Sequence, residues 1–234
     1  PPGKTYKVSQ IHLNALSDVT LIGHGATIVG STPASAIVWV QGGSRVRLLG
    51  LRLTHNAVAR NDSGFGIFLD GCSVASVRDC AISATASAGI YVDGVTHGSV
   101  QACTVTGTMS DGIHVTGAST QVAVSGCHTS TTGDDGIAVV SYASDTGRCQ
   151  DVTITGNTVF QSKARGISVV GGSNIAITGN EIRATKYAAI IIAQETSFST
   201  RGVSGVLVSG NTVADANTYD SPAFQHPSIL ISAG

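Results

Sequence analysis

Three of the fourteen acidic residues in this 234-residue chain sit in phase with a repeating phrase: Asp111 in Ser110-Asp111-Gly112-Ile113, and Asp134 and Asp135 in Gly133-Asp134-Asp135-Gly136-Ile137. As chain neighbours, Asp134 and Asp135 have Cα atoms about 3.8 Å apart. If one repeat stacks on the next, Asp111 lies about 4.8 Å away in projection. Like charges that close raise one another's proton affinity, so one carboxyl can stay protonated near neutral pH while its neighbours are ionised. An acid for a leaving oxygen beside a base for water is what glycosidic cleavage needs. Aspartate also caps backbone amides in turns, and Asp-Asp-Gly is an ordinary turn sequence. The convergence of three titratable groups is what favours chemistry over capping.

The elements that must position them are repeats. Gly66-Ile67-Phe68-Leu69 returns as Gly89-Ile90-Tyr91-Val92, Gly112-Ile113-His114-Val115, Gly136-Ile137-Ala138-Val139 and Gly166-Ile167-Ser168-Val169, at spacings of 23 or 24 residues that stretch to 30. A second phrase keeps phase with it, as in Val152-Thr153-Ile154-Thr155-Gly156-Asn157 and Ile175-Ala176-Ile177-Thr178-Gly179-Asn180. Alternation of β-branched and small polar residues has a period of two, which suits strands and not helices. A unit this short buries its apolar face only against its neighbours. These features predict an all-β chain, a right-handed single-stranded parallel β-helix of roughly eight to ten coils forming one domain over 1–234. A leucine-rich repeat has a similar period but needs a leucine-dominated consensus and a helix in each unit, and neither is present.

Composition agrees with a narrow, turn-rich solenoid: 29 glycines, 12% charged residues and 5% aromatics. A net charge of −1 with no cluster of Lys and Arg argues against nucleic acid and for a neutral or weakly charged partner. No apolar run reaches the length of a membrane span. The ends read as those of a piece excised or processed from something longer, because open coils expose strand edges and usually carry caps; flanking domains or a homotrimeric partner surface are expected. Cys80, Cys103 and Cys127 hold the repeat position that Asn157, Asn180 and Asn211 take later, which predicts a ladder of reduced core thiols continuing as asparagines. Without Cys-x-x-Cys or paired histidines, no metal site is expected.

Ser110-Asp111-Gly112-Ile113, then Gly133-Asp134-Asp135-Gly136 one coil on, then Arg165-Gly166-Ile167 in the next, resembles the polygalacturonases, glycoside hydrolase family 28. That family carries Asn-Thr-Asp, Asp-Asp, Gly-His-Gly and Arg-Ile-Lys on one face of a right-handed β-helix. The resemblance implies cleavage with inversion, with Asp134 as general acid and Asp111 and Asp135 holding the attacking water. It covers about residues 109 to 170. The family's Asn-Thr is Met109-Ser110 here, its histidine position holds Arg165, and its Arg-Ile-Lys coil reads Ala188-Ala189-Ile190-Ile191-Ile192. The basic pair that grips a uronate is therefore missing, which argues against galacturonan. More broadly the chain resembles β-helix proteins that degrade polysaccharides, including phage tailspike depolymerases and pectate-lyase-like folds. That resemblance implies a polysaccharide substrate and an extracellular, secreted or virion-associated location.

Within Gly-Ile-x-Val the residue x faces outward, so Phe68, Tyr91 and His114 are expected to form an exposed column leading to the aspartates, suited to sugar rings or to stiffening the sheet. Lys163, Arg165, Lys186, Tyr187 and Glu195 are further candidates for substrate binding. Insertions fall at Pro33 to Ala36, Asn56 to Ser63, Ser141 to Arg148, Thr196 to Gly202 and Asn217 to Pro227; so few long loops imply an open groove. The functional expectation is a glycoside hydrolase needing no cofactor. Two alternatives stand beside it. One is a polysaccharide lyase or uronate epimerase, with Ca²⁺ on the carboxylates and Lys163 or Arg165 as base. The other is a glycan-binding or structural section of a surface fibre.

Overall fold

The computed structural model describes residues 2–219 and 226–233. Among the described residues the chain winds into three parallel sheets of nine, nine and eight strands, and each strand inside a sheet pairs with its counterparts one coil before and one coil after. The first sheet runs from Thr5–Val8 to Thr212–Ala214, the second from Ile11–Asn14 to Ile229–Ala233 and the third from Thr20–Ile22 to Val203–Ser209. The expected alternation is met: Ile67, Ile90, Ile113, Ile137 and Ile167 stack in the core without exposure, while the next residue of each phrase points out. Among the described residues the helical structure is one 3-10 turn, Thr196–Phe198, and no helix is long and apolar enough to cross a membrane. Residues 220–225 of the expected insertion from Asn217 to Pro227 lie outside the described residues.

The glycine of each phrase is a packing requirement. A Cβ on Gly112 would sit 2.5 Å from the carbonyl oxygen of Gly136, and one on Gly66 2.5 Å from that of Gly89. Coils approach too closely there for any side chain. On another edge Cys80, Cys103 and Cys127 stack as buried free thiols, and the ladder continues as asparagines. Asn157 Oδ1 accepts the Cys127 N–H, and Asn180 Oδ1 accepts both the N–H and the side-chain amide of Asn157, each bond at 2.9 Å. Ladders of this kind satisfy buried backbone groups that no strand pairs.

Candidate active site

The aspartates lie in the turns leading into the second sheet, before Ile113–Thr116 and Ile137–Val140, and Arg165 precedes Ile167–Val170 in the same way. A threonine clasp shapes each turn. Thr108 Oγ1 donates to the Ser110 carbonyl at 2.7 Å and Thr132 Oγ1 to the Asp134 carbonyl at 2.9 Å, with Thr85 and Thr185 making the same bond in coils lacking an aspartate. The carboxylates are therefore grafted onto a turn the solenoid already uses. One oxygen from each of Asp111, Asp134 and Asp135 lies within 4.8 Å of the others.

Their surroundings differ. Asp111 is buried with both oxygens engaged: Oδ1 accepts the Asp135 N–H at 2.9 Å, and Oδ2 accepts from His114 Nδ1 at 2.7 Å. Buried His114 leaves its Nε2 without a partner. Asp135 is 3% exposed; its Oδ1 accepts the Arg165 N–H at 2.8 Å, and Arg165 Nε stands 3.1 Å away as an ion pair without hydrogen-bond alignment. Burial pushes the Asp135 carboxyl up to about 7; Arg165 opposes this, and Asp111 and Asp134 add to it. Asp134 keeps 39% of its side chain exposed, with Arg60 Nη1 at 3.7 Å. Burial and then the charge of Asp111 raise it above the ordinary carboxylate range, against Arg165 and Arg60.

These groups line a cleft of about 370 Å³. Tyr91, His114, Arg165 and Glu195 line it with the aspartates; Phe68, Lys163, Lys186 and Tyr187 do not. Lys163 is exposed, and Lys186 lies over the Tyr219 ring at 4.5 Å in a separate cluster with Tyr187. The expected exposed aromatic column is corrected. His114 is 6% exposed, and the rings stack along the solenoid axis, so their faces cover one another: His12 on Trp39 at 4.2 Å, Trp39 on Phe68 at 5.9 Å and Tyr91 on His114 at 4.7 Å. Phe65 closes the other face of Tyr91 at 4.3 Å. Among these rings only Phe68 and Tyr91 meet edge to face, at 5.6 Å, and a stack of this kind stiffens the sheet. Arg60, Phe65, Tyr142 and Phe198 also line the cleft and escaped the sequence reading. The insertions that carry most of them were visible; the direction in which each loop folds was not.

Three carboxylates so close are a donor set a divalent cation can use. Calcium, however, takes six to eight oxygens, and His114, Arg165 and the Asp135 N–H already occupy oxygens of Asp111 and Asp135.

The family model described as the right-handed β-helix region matches residues 35–213, and the chain belongs to that family. Similar solved structures include the mannuronan C-5 epimerase AlgE6 A-module of Azotobacter vinelandii (15% identity, TM-score 0.70, covering 98% of this chain and 71% of that one). The catalytic unit of a GH87 α-1,3-glucanase from Streptomyces thermodiastaticus is similar at 20% identity and TM-score 0.70, over 97% of this chain and 43% of the glucanase. The tailspike protein of Escherichia coli bacteriophage HK620, in complex with a pentasaccharide, is similar at 14% identity and TM-score 0.66, over 100% of this chain and 52% of the tailspike. At these identities the likeness is one of fold. No curated protein sequence matches the chain.

Proposed function

We propose that this β-helix cleaves a polysaccharide by carboxylate acid/base catalysis, with Asp134 as the acid and Asp111 and Asp135 on the side of the attacking water. The observation that carries the reading is three carboxylates within 4.8 Å at one cleft, in environments that separate their roles. Asp134 is the one whose oxygens face the cleft with no close hydrogen-bond partner, whereas both oxygens of Asp111 are committed. Asp134 gives its proton to the glycosidic oxygen as the bond from that oxygen to the anomeric carbon breaks. In the reacting form the proton of the cluster sits on Asp134 and Asp135 is ionised beside Arg165; water bonds to the anomeric carbon and passes a proton to Asp135, which its backbone bond to Asp111 orients. Solvent takes the proton from Asp135 and returns one to Asp134.

Lyase or epimerase chemistry needs a free base at the sugar C5. Arg165 is tied to Asp135 and Glu195 and Lys163 stands outside the cleft, which is why hydrolysis is preferred. The glycan-acting names among the structural neighbours support a carbohydrate substrate, and with it an extracellular or virion-associated setting. The test is release of reducing ends from a polysaccharide panel by the native chain and by Asp134→Asn, with a chelator present. Release that survives chelation and falls about 10²–10⁴-fold in the variant is expected. Turnover unchanged by the substitution refutes the assignment of the acid. Unsaturated products lost on chelation replace hydrolysis by elimination.

A further inference from the structure

Beyond the aspartates two insertions are tied into a single wall. The Ala143 N–H donates to the Ser199 carbonyl at 2.7 Å, the Arg201 N–H to the Ser141 carbonyl at 2.8 Å, and Tyr142 forms an antiparallel bridge with Thr200. The Arg201 guanidinium then caps the carbonyls of Tyr142, Ala143 and Asp145 at 3.0, 3.1 and 2.5 Å. Glu195 is held by its own N–H on Thr200 Oγ1 at 2.8 Å. This wall carries Phe198, which lines the cleft with 65% of its surface exposed. Among the described residues no other ring stacks on it, in contrast to Phe65 and Tyr91, whose faces are occupied. A large apolar ring held open at the rim of a polar cleft is what a pyranose C–H face stacks on.

The charge of the cleft restricts what can lie there. The catalytic aspartates are joined by Asp62 and Glu195, against Arg60 and Arg165 as cations. Both arginines are spent. Arg60 Nε is 2.8 Å from Asp62 with Asp134 at 3.7 Å, and Arg165 is paired with Asp135 at 3.1 Å and Glu195 at 3.5 Å. A uronate or sulfate would meet surplus negative charge and no free cation, and one such group about 5 Å from an unpaired carboxylate weakens binding on the order of a hundredfold. Neutral donors are at hand instead. The Tyr142 phenol is raised by burial and then by the charge of Asp111, so it keeps its proton, and the hydroxyls of Ser87, Ser110 and Tyr91 stand nearby.

We infer that the cleft takes an uncharged glycan and that Phe198 stacks on one of its pyranose rings beside the scissile bond. The inference rests on the reading of the site as glycan-cleaving, but its test measures retention rather than turnover. The full chain carrying Asp134→Asn is run in affinity gels containing dextran, β-glucan, galactomannan or α-1,3-glucan, and the native chain, with every cleft charge in place, in parallel gels with alginate or polygalacturonate. Retardation by at least one neutral polymer and by neither polyuronate is expected. Adding Phe198→Ala should weaken that retardation about three- to tenfold, and Phe198→Trp should preserve it. Retardation by a polyuronate, by no neutral polymer, or equally with and without the Phe198 ring overturns the inference. Retardation by a neutral glycan that the native chain leaves uncut would sink the hydrolytic reading alone.

Discussion

Replacing Asp111 by asparagine removes one charge from the cluster and leaves its scaffold standing. The new Oδ1 still accepts the Asp135 N–H, now 2.9 Å away. The new amide donates to His114 Nδ1, at 2.7 Å, once the ring proton moves to Nε2, which has no partner to lose. Burial, the main cause of the raised Asp135 carboxyl, survives the substitution, while repulsion from Asp111 does not. Two unit charges at the 4.8 Å limit of this cluster interact by about 3.5 kcal/mol at an effective dielectric of about 20 and about 0.9 kcal/mol in bulk water. The Asp135 midpoint should therefore fall from about 7 by between about 0.6 and about 2.5 pH units. Asp134 should move the same way, since Asp111 is the next cause after burial there. The assay is an NMR titration of protein carrying ¹³C at the aspartate Cγ, which needs no turnover. An Asp135 midpoint that stays near 7 in the variant, or a native protein in which no aspartate titrates above the ordinary range, refutes the reasoning.

Other outcomes follow from the same structure. Asp135 holds its proton to about 7 in the fold, against about 3.9 for a free aspartate; the native state binds more protons across that window, so unfolding free energy should fall as pH rises through it and level off above, read as urea midpoints along a pH series. Asn180→Ala takes the acceptor from the buried Asn157 N–H and from its side-chain amide and should cost about 2–6 kcal/mol in denaturant unfolding. Gly112→Ala drives a Cβ to 2.5 Å from the Gly136 carbonyl and 2.9 Å from Thr129 Cγ2. It should cost about 1–3 kcal/mol and lower turnover as well, because the strained turn carries Asp111. Arg201→Ala frees three carbonyls of the facing loop, so hydrogen exchange of amides 142–145 should speed up and KM rise with little change in melting temperature.

Much of this molecule is visible in its letters because a solenoid is a local object. Each coil touches chiefly the coils before and after it, so the period of the Gly-Ile phrase sets which residues stack, and the alternation around Ile113 and Ile137 sets which face the core. Asp111, Asp134 and Asp135 could be brought together by counting, since one repeat in sequence is one rung in space. The substitution of cysteine by asparagine along one ladder was legible for the same reason. Outward direction, however, is not the same as exposure. His114, Ala138 and Ser168 point away from the core and are nevertheless buried, because side chains and loops from other coils close over them.

What the sequence determined by itself is therefore the winding, the core and the meeting of three carboxylates, all consequences of a fixed repeat and a period of two. The tertiary structure alone decided the character of the site. It buried Asp135 against Arg165, left Asp134 half open, turned the aromatic rings face to face and brought residues 142–145 against 196–200 to raise Phe198 over the cleft. The wall that carries Phe198 comes from insertions that break the period, while the burial of Asp135 and the ring stack come from side-chain packing between successive coils. Loop direction and the desolvation of a charge depend on groups from other coils, whose approach no local pattern encodes.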